Sequence, residues 1–171
     1  MGLLHLYCGE GKGKTTAAVG LAVRMAGSGG RVLFVQFMKD GTSSELNILR
    51  TLPLVNCVTS RKHYGFYRSM TEAQKAECSE EYREMFASAA RAFAQWDLVV
   101  FDELAAAYRH GLLDRATVLR ELTQRPERTE VVLTGRDPAP ELTALADYVS
   151  CVQKEKHPFD TGVRARRGIE F

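Results

Sequence analysis

Residues Cys8 to Thr16, CGEGKGKTT, carry the densest chemistry in the chain. Gly9, Gly11 and Gly13 let the backbone turn its N–H groups toward one concave side, and Lys12 and Lys14 add positive charge, so the stretch is an anion seat. Gly13-Lys14-Thr15 is the end of a phosphate loop, with a lysine for phosphate oxygens and a hydroxyl for Mg²⁺ or Mn²⁺. Glu10 and Thr16 complete the residues expected to surround a nucleotide. The alternative is a glycine-rich turn that binds nothing. It is disfavoured because an apolar run precedes the glycines and an alanine-rich helical run follows, giving strand, loop and helix in that order. One departure stands out. The motif G-x-x-x-x-G-K-[ST] puts its first glycine where this chain has Cys8. The glycine is Gly9, so the loop is one residue shorter and carries the additional Lys12. A triphosphate is expected to sit in it differently than in an ordinary NTPase.

Leu98-Val99-Val100-Phe101-Asp102-Glu103 reads as a buried strand that ends in carboxylates beside a metal. Mg²⁺ takes oxygen ligands, usually one or two from protein, so Thr15 with Asp102 or Glu103 is a sufficient set. The plainer reading is an acidic pair that caps the next helix. Gln36, Lys39 and Arg136 follow other apolar runs and would fall near the same place, with Lys39 and Arg136 as candidate nucleotide contacts. His63-Tyr64-Gly65-Phe66-Tyr67-Arg68 sets three aromatics around a glycine. Tyr64, Phe66 and Tyr67 are expected to form a mobile lid over a flat apolar ligand, against the alternative of rings packed locally on a surface loop.

These residues must be positioned by alternating strands and helices. Apolar runs at Leu3–Tyr7, Arg31–Gln36, Val55–Thr59, Leu98–Phe101, Thr129–Leu133 and Tyr148–Gln153 predict six strands. Helical spacing covers Ala17–Ala26, Ser43–Leu52, a long stretch from about Met70 to Gln95 that opens with a capping box at Ser69 or Thr71, a short run to Tyr108, Asp114–Gln124 and Glu141–Asp147. Lys154–Phe171 shows no period. The order predicts an α/β fold, P-loop NTPase-like, doubly wound, with a mostly parallel sheet of about six strands and helices on both faces. Such sheets bind ligands at the carboxyl ends of their strands, where the polar residues above fall.

The chain's 171 residues suit a single domain spanning 1–171. A net charge of +2 demands neither nucleic acid nor a membrane surface. The four cysteines form no C-x-x-C pair, which suggests reduced thiols and a cytoplasmic location. No apolar run approaches the roughly 18 residues of a membrane helix, and no basic segment precedes Leu3, which argues against a secretory signal.

The variant loop GEGKGKTTAA, VQFMK, the lid GFY, VVFDEL, ERTEVVLTGR and the tail HPFDTGVRARRGIEF together resemble the ATP:corrinoid adenosyltransferases of the CobA/BtuR/CobO type, from Leu3 to Phe171. The resemblance implies transfer of the 5′-deoxyadenosyl group of ATP to Co(I) of a reduced corrinoid, with triphosphate leaving. It implies ATP lying reversed in its loop, Mg²⁺ held by Thr15 and Glu103, and Phe66 assisting removal of the corrinoid's lower axial ligand. An electron donor such as a flavoprotein and a homodimer are further expectations. Three departures qualify it. Arg68 replaces the family's second lid aromatic, for which Tyr64 or Tyr67 could substitute, Asp40 stands where VQFxKG has glycine, and the chain starts at the first strand without the N-terminal helical extension of some members. A more open corrinoid cleft is expected from the last. An ATPase using water as nucleophile and a non-catalytic nucleotide-binding module are the competing readings.

Overall fold

The computed structural model describes residues 1–170; Phe171, the last residue of the tail motif, lies outside them. Six strands form one sheet: β1 (Leu4–Cys8), β2 (Val32–Gln36), β3 (Val55–Thr59), β4 (Leu98–Asp102), β5 (Glu130–Thr134) and β6 (Tyr148–Cys151). Their order is β3-β2-β4-β5-β1-β6. Every pairing is parallel, which sharpens the expectation of a mostly parallel sheet. In register, Tyr7 lies opposite Thr134 and Gln36 opposite Asp102. The carboxyl ends of β1, β5, β4 and β2 therefore open side by side.

The helices are α1 (Lys14–Gly27), α2 (Ser44–Leu49), α3 (Glu72–Arg91), α4 (Leu104–Arg109), α5 (Arg115–Thr123) and α6 (Pro140–Leu145). Strands β2 and β4 are buried at every position because helices cover both faces, and they are apolar up to their polar last residues, Gln36 and Asp102. Val32, Phe34, Leu98, Val100 and Val132 face α1, whose fully buried Ala18 and Ala22 let its backbone approach the sheet. The alternate residues, Leu33, Val35, Val99, Phe101, Val131 and Leu133, face the other way, toward Tyr82 and Phe86 of α3 and Tyr108 of α4. There the Phe101 ring lies 5.2 Å from Phe86, 6.1 Å from Phe93 and 6.3 Å from Phe37, centre to centre.

Several boundaries move for local reasons. The first helix begins at Lys14 rather than Ala17, because Lys14, Thr15 and Thr16 themselves make its first turn. The helix expected to run to Gln95 ends at Arg91. Ala92 leaves helical geometry at φ −99°, and Phe93–Gln95 form a separate 3₁₀ turn. Of the two possible caps, Thr71 serves. Its Oγ1 accepts the Gln74 N–H while the Gln74 side chain accepts the Thr71 N–H. Ser69 is committed elsewhere, donating to the Phe66 carbonyl. Ser43–Leu52 shortens to α2, with Ile48 turned outward. Among the described residues no helix is long and apolar enough to cross a membrane.

Candidate active site

Between β1 and α1 the chain makes one tight turn at the carboxyl end of the sheet. Gly9 has φ 94° and Gly13, the residue before the helix, φ 124°, a region that side chains with a Cβ resist. The Lys14 ammonium folds back into this loop and donates to the Gly9 and Gly11 carbonyls at 2.6 and 2.8 Å. Burial, then the nearby Arg136 charge, hold its pKa below the ordinary lysine value. Arg136 follows β5 and ion-pairs with Glu10 at 3.4 Å across the outside of the loop. Lys12, Lys14, Arg136 and the free N–H groups opening α1 thus gather positive potential in one place.

Asp102, at the end of β4, is completely buried. Its Oδ1 accepts from Thr15 Oγ1 at 2.8 Å and Thr134 Oγ1 at 2.7 Å, and its Oδ2 from Gln36 at 3.1 Å and the Lys39 ammonium at 2.8 Å. Burial alone would lower the pKa of Lys39, but Asp102 more than offsets it and holds the pKa above its usual value. Glu103, the next residue, takes φ 58°. Left-handed backbone is unfavourable for such a side chain, and it is held by the Glu103 N–H donating to Thr134 Oγ1 at 2.9 Å. The turn aims the Glu103 carboxylate into the cleft, where it has no hydrogen-bond or ion-pair partner among the described residues. Burial, then the Asp102 charge, push its pKa up.

The cleft above the strand ends encloses about 1130 Å³. Residues 11–16 line one side together with Lys39, Glu103 and Arg136; His63, Gly65 and Phe66 line another. The loop from His63 to Arg68, expected to be a lid, is pinned at two points. The Tyr64 hydroxyl donates to Glu81 of α3 at 2.9 Å. Tyr67 stacks on His110 at 4.0 Å and donates to its carbonyl at 3.3 Å. Gly65, φ 72°, sits between the pins, and Phe66 projects into solvent with 87% of its surface exposed.

Most residues expected at the site converge there. Glu10 closes the loop's outer side through Arg136, and Gly9 turns its carbonyl back to Lys14 instead of facing the cleft. Of the three lid aromatics only Phe66 lines the main cleft. Tyr64 borders a small hollow beneath the lid, and Tyr67 packs on the far side against His110, because each ring finds a polar partner for its hydroxyl on the protein body. The sequence left the tail unplaced, yet His157, Gly168, Ile169 and Glu170 line the cleft, as do Ser43 and Glu45 after β2. The approach of the tail residues is set by chain folding over long separations, which no local spacing shows. The displaced glycine after Lys39 reappears as Gly41, φ 73°, while Asp40 accepts from Thr42 and lies 3.2 Å from His63.

A divalent cation fits this donor set. Thr15, Asp102 and Glu103 are hard oxygen donors, and the Lys39 ammonium, 2.8 Å from Asp102 and 3.4 Å from Thr15, marks where positive charge is favoured. Among the described residues no group of three or more His, Cys, Asp or Glu gathers to hold a metal alone, so phosphate oxygens and water would supply the remaining ligands.

Parallel sheet, phosphate loop and strand-end carboxylates define a P-loop nucleotide-binding α/β protein. The sequence profile of the ATP:corrinoid adenosyltransferase BtuR/CobO/CobP family matches residues 1–171. The chain is 35% identical over 172 residues to the corrinoid adenosyltransferase of Escherichia coli strain K12, covering 99% of this chain and 86% of that one. It is 34% identical over 183 residues to the corrinoid adenosyltransferase of Pseudomonas aeruginosa, covering 99% and 84%. It is also 35% identical over 172 residues to corrinoid adenosyltransferase CobA of Salmonella typhimurium, covering 99% and 86%. The chain belongs to this adenosyltransferase family.

Proposed function

We propose that the protein transfers the 5′-deoxyadenosyl group of ATP to the Co(I) centre of a corrinoid and releases triphosphate. The observation that carries this is the shape of the cleft: the phosphate loop lies on one side and an exposed aromatic lid on another, with room for a nucleotide and part of a broad flat substrate together. The Co–C5′ bond forms as the C5′–O bond breaks, so the electron pair of that bond leaves with triphosphate. Lys12, Lys14, Arg136 and the loop N–H groups stand where that charge grows, and fixed positive groups there stabilise the transition state. Thr15 and Glu103, with Asp102 bonded to Thr15, would hold Mg²⁺, which would supply further charge neutralisation. Phe66 shields the corrin face and helps remove the lower axial ligand, leaving cobalt easier to reduce. Alignment of the two reacting atoms and exclusion of water complete the protein's contribution.

Reduction of Co(II) requires an external electron donor, a reduced flavoprotein in this reading, and we infer a cytoplasmic homodimer, checked by solution mass. The unpartnered Glu103 carboxylate favours one competitor, a hydrolase in which it activates water. Incubation with ATP, Mg²⁺, a corrinoid and a strong reductant separates them. Triphosphate with a light-sensitive adenosylcorrinoid is the expected product. Orthophosphate formed without corrinoid would overturn the transfer reading.

A further inference from the structure

The cysteine that displaces the motif's first glycine has a partner. Cys8 and Cys151 are register partners on the adjacent parallel strands β1 and β6. Neighbouring strands lie about 4.8 Å apart, inside the range of about 4.4–6.8 Å between Cα atoms that a disulfide spans. Register partners of a parallel pair also send their side chains to the same face. Cys8 is buried, and Cys151 is exposed on the open edge of the sheet, where all of β6 is exposed. The edge strand is also the wall on which the phosphate loop leans. A Cβ placed on Gly9 would meet the Cys151 sulfur at 2.9 Å, and the Gly11 N–H donates to the Val152 carbonyl at 2.8 Å. Burial raises the pKa of Cys8, and the Cys151 thiol beside it adds to the rise. Cys57 lies on β3 at the opposite edge, and Cys78 is buried within α3.

We propose that Cys8 and Cys151 form a reversible intramolecular disulfide that switches the adjoining phosphate loop between a nucleotide-binding and a locked state. The oxidant is a small-molecule disulfide. The exposed Cys151 thiolate attacks it, releasing one small thiolate and forming a mixed disulfide. The Cys8 thiolate then attacks the Cys151 sulfur and expels the second small thiolate. Both protein thiols are oxidised, two small thiols are produced, and the two protons end on them. The bridge fixes the residue before Gly9, so the loop keeps the arrangement in which Lys14 is folded onto its own carbonyls instead of reaching phosphate. The nucleotide part rests on the reading of the loop as a phosphate seat. It gives the switch a logic, since an environment oxidising enough to close the pair cannot maintain a Co(I) substrate.

The test equilibrates the purified protein in a series of reduced-to-oxidised glutathione mixtures, then alkylates free thiols in denaturant, maps the peptides without reduction, and measures MgATP binding of the native samples by calorimetry. The expected result is a Cys8–Cys151 cross-link lacking two hydrogen atoms, with Cys57 and Cys78 still alkylatable. MgATP binding should weaken by about tenfold or more and return with dithiothreitol. Cys151→Ser should bind MgATP like the reduced wild type in every mixture. Cys8 remaining alkylatable throughout, or Cys151 ending only as a glutathione adduct, overturns the pair. A cross-link with unchanged MgATP affinity overturns the switch. The peptide map decides the pair whether or not nucleotide binds, so a reduced protein that binds no MgATP overturns the phosphate-seat reading alone.

Discussion

Glu103 is the residue at which local structure and chemistry conflict most openly. Its left-handed backbone and its raised carboxylate pKa both oppose folding, against which stand two backbone bonds, its N–H to Thr134 Oγ1 and its carbonyl from the Ala107 N–H at 3.2 Å. Glycine would adopt the same φ without a steric cost of about 1–2 kcal/mol. Glu103→Gly is therefore expected to raise unfolding free energy by about 1 kcal/mol while Mg²⁺-dependent transfer is lost, as read by denaturant titration beside a product assay. A fall in stability would show that the carboxylate is a structural contact. The sequence made the acidic pair visible as a candidate ligand set. Spacing alone did not separate the two residues, although the family resemblance chose Glu103, because burial of Asp102 by Thr15, Gln36, Lys39 and Thr134 depends on four segments meeting.

The loop from His63 to Arg68 is an element with two pins and a free tip. Phe66 buries almost nothing, so Phe66→Ala should change stability by no more than about 0.5 kcal/mol and leave ATP affinity intact. Corrinoid turnover should drop, which steady-state kinetics with each substrate varied in turn would show. The first pin is acid-sensitive. Burial would raise the pKa of Glu81, but bonds from the Arg61 N–H at 2.6 Å, the Ser60 hydroxyl at 2.8 Å and the Tyr64 hydroxyl at 2.9 Å outweigh it and hold the pKa below the ordinary glutamate value. A depressed folded-state pKa means the ionised carboxylate stabilises the fold above the usual glutamate pKa, and that contribution disappears as pH falls through the lower value. Stability measured against pH should show this acid loss in the wild type, and Glu81→Gln should lack it. The glycine-hinged aromatic loop was legible as a loop beside the site, but the packing of Tyr64 on Glu81 and Tyr67 on His110 was not, because those partners lie far away in sequence.

Across the whole molecule, alternation of apolar runs with helical spacing was enough to place all six strands and the parallel class. Strand order was not readable, since β1 pairs with β5 and β6 across more than a hundred residues. The tail's entry into the cleft was hidden for the same reason. The core rests on few large side chains at the crossing of sheet and α3. Phe101→Ala would open a cavity among Phe37, Phe86 and Phe93 and is expected to cost about 3–5 kcal/mol, a large part of the roughly 5–15 kcal/mol available to a domain. Calorimetric melting checks it, and an unchanged transition would mean the aromatic cluster repacks freely.

Asp102 ties the start of α1 to the ends of β2, β4 and β5 through a single carboxylate. An arriving metal–nucleotide complex that claims Thr15 or Lys39 must therefore dissolve bonds that also hold strand ends together. Binding is an exchange of partners more than an addition of them, and its measured heat will understate how firmly the phosphates are held.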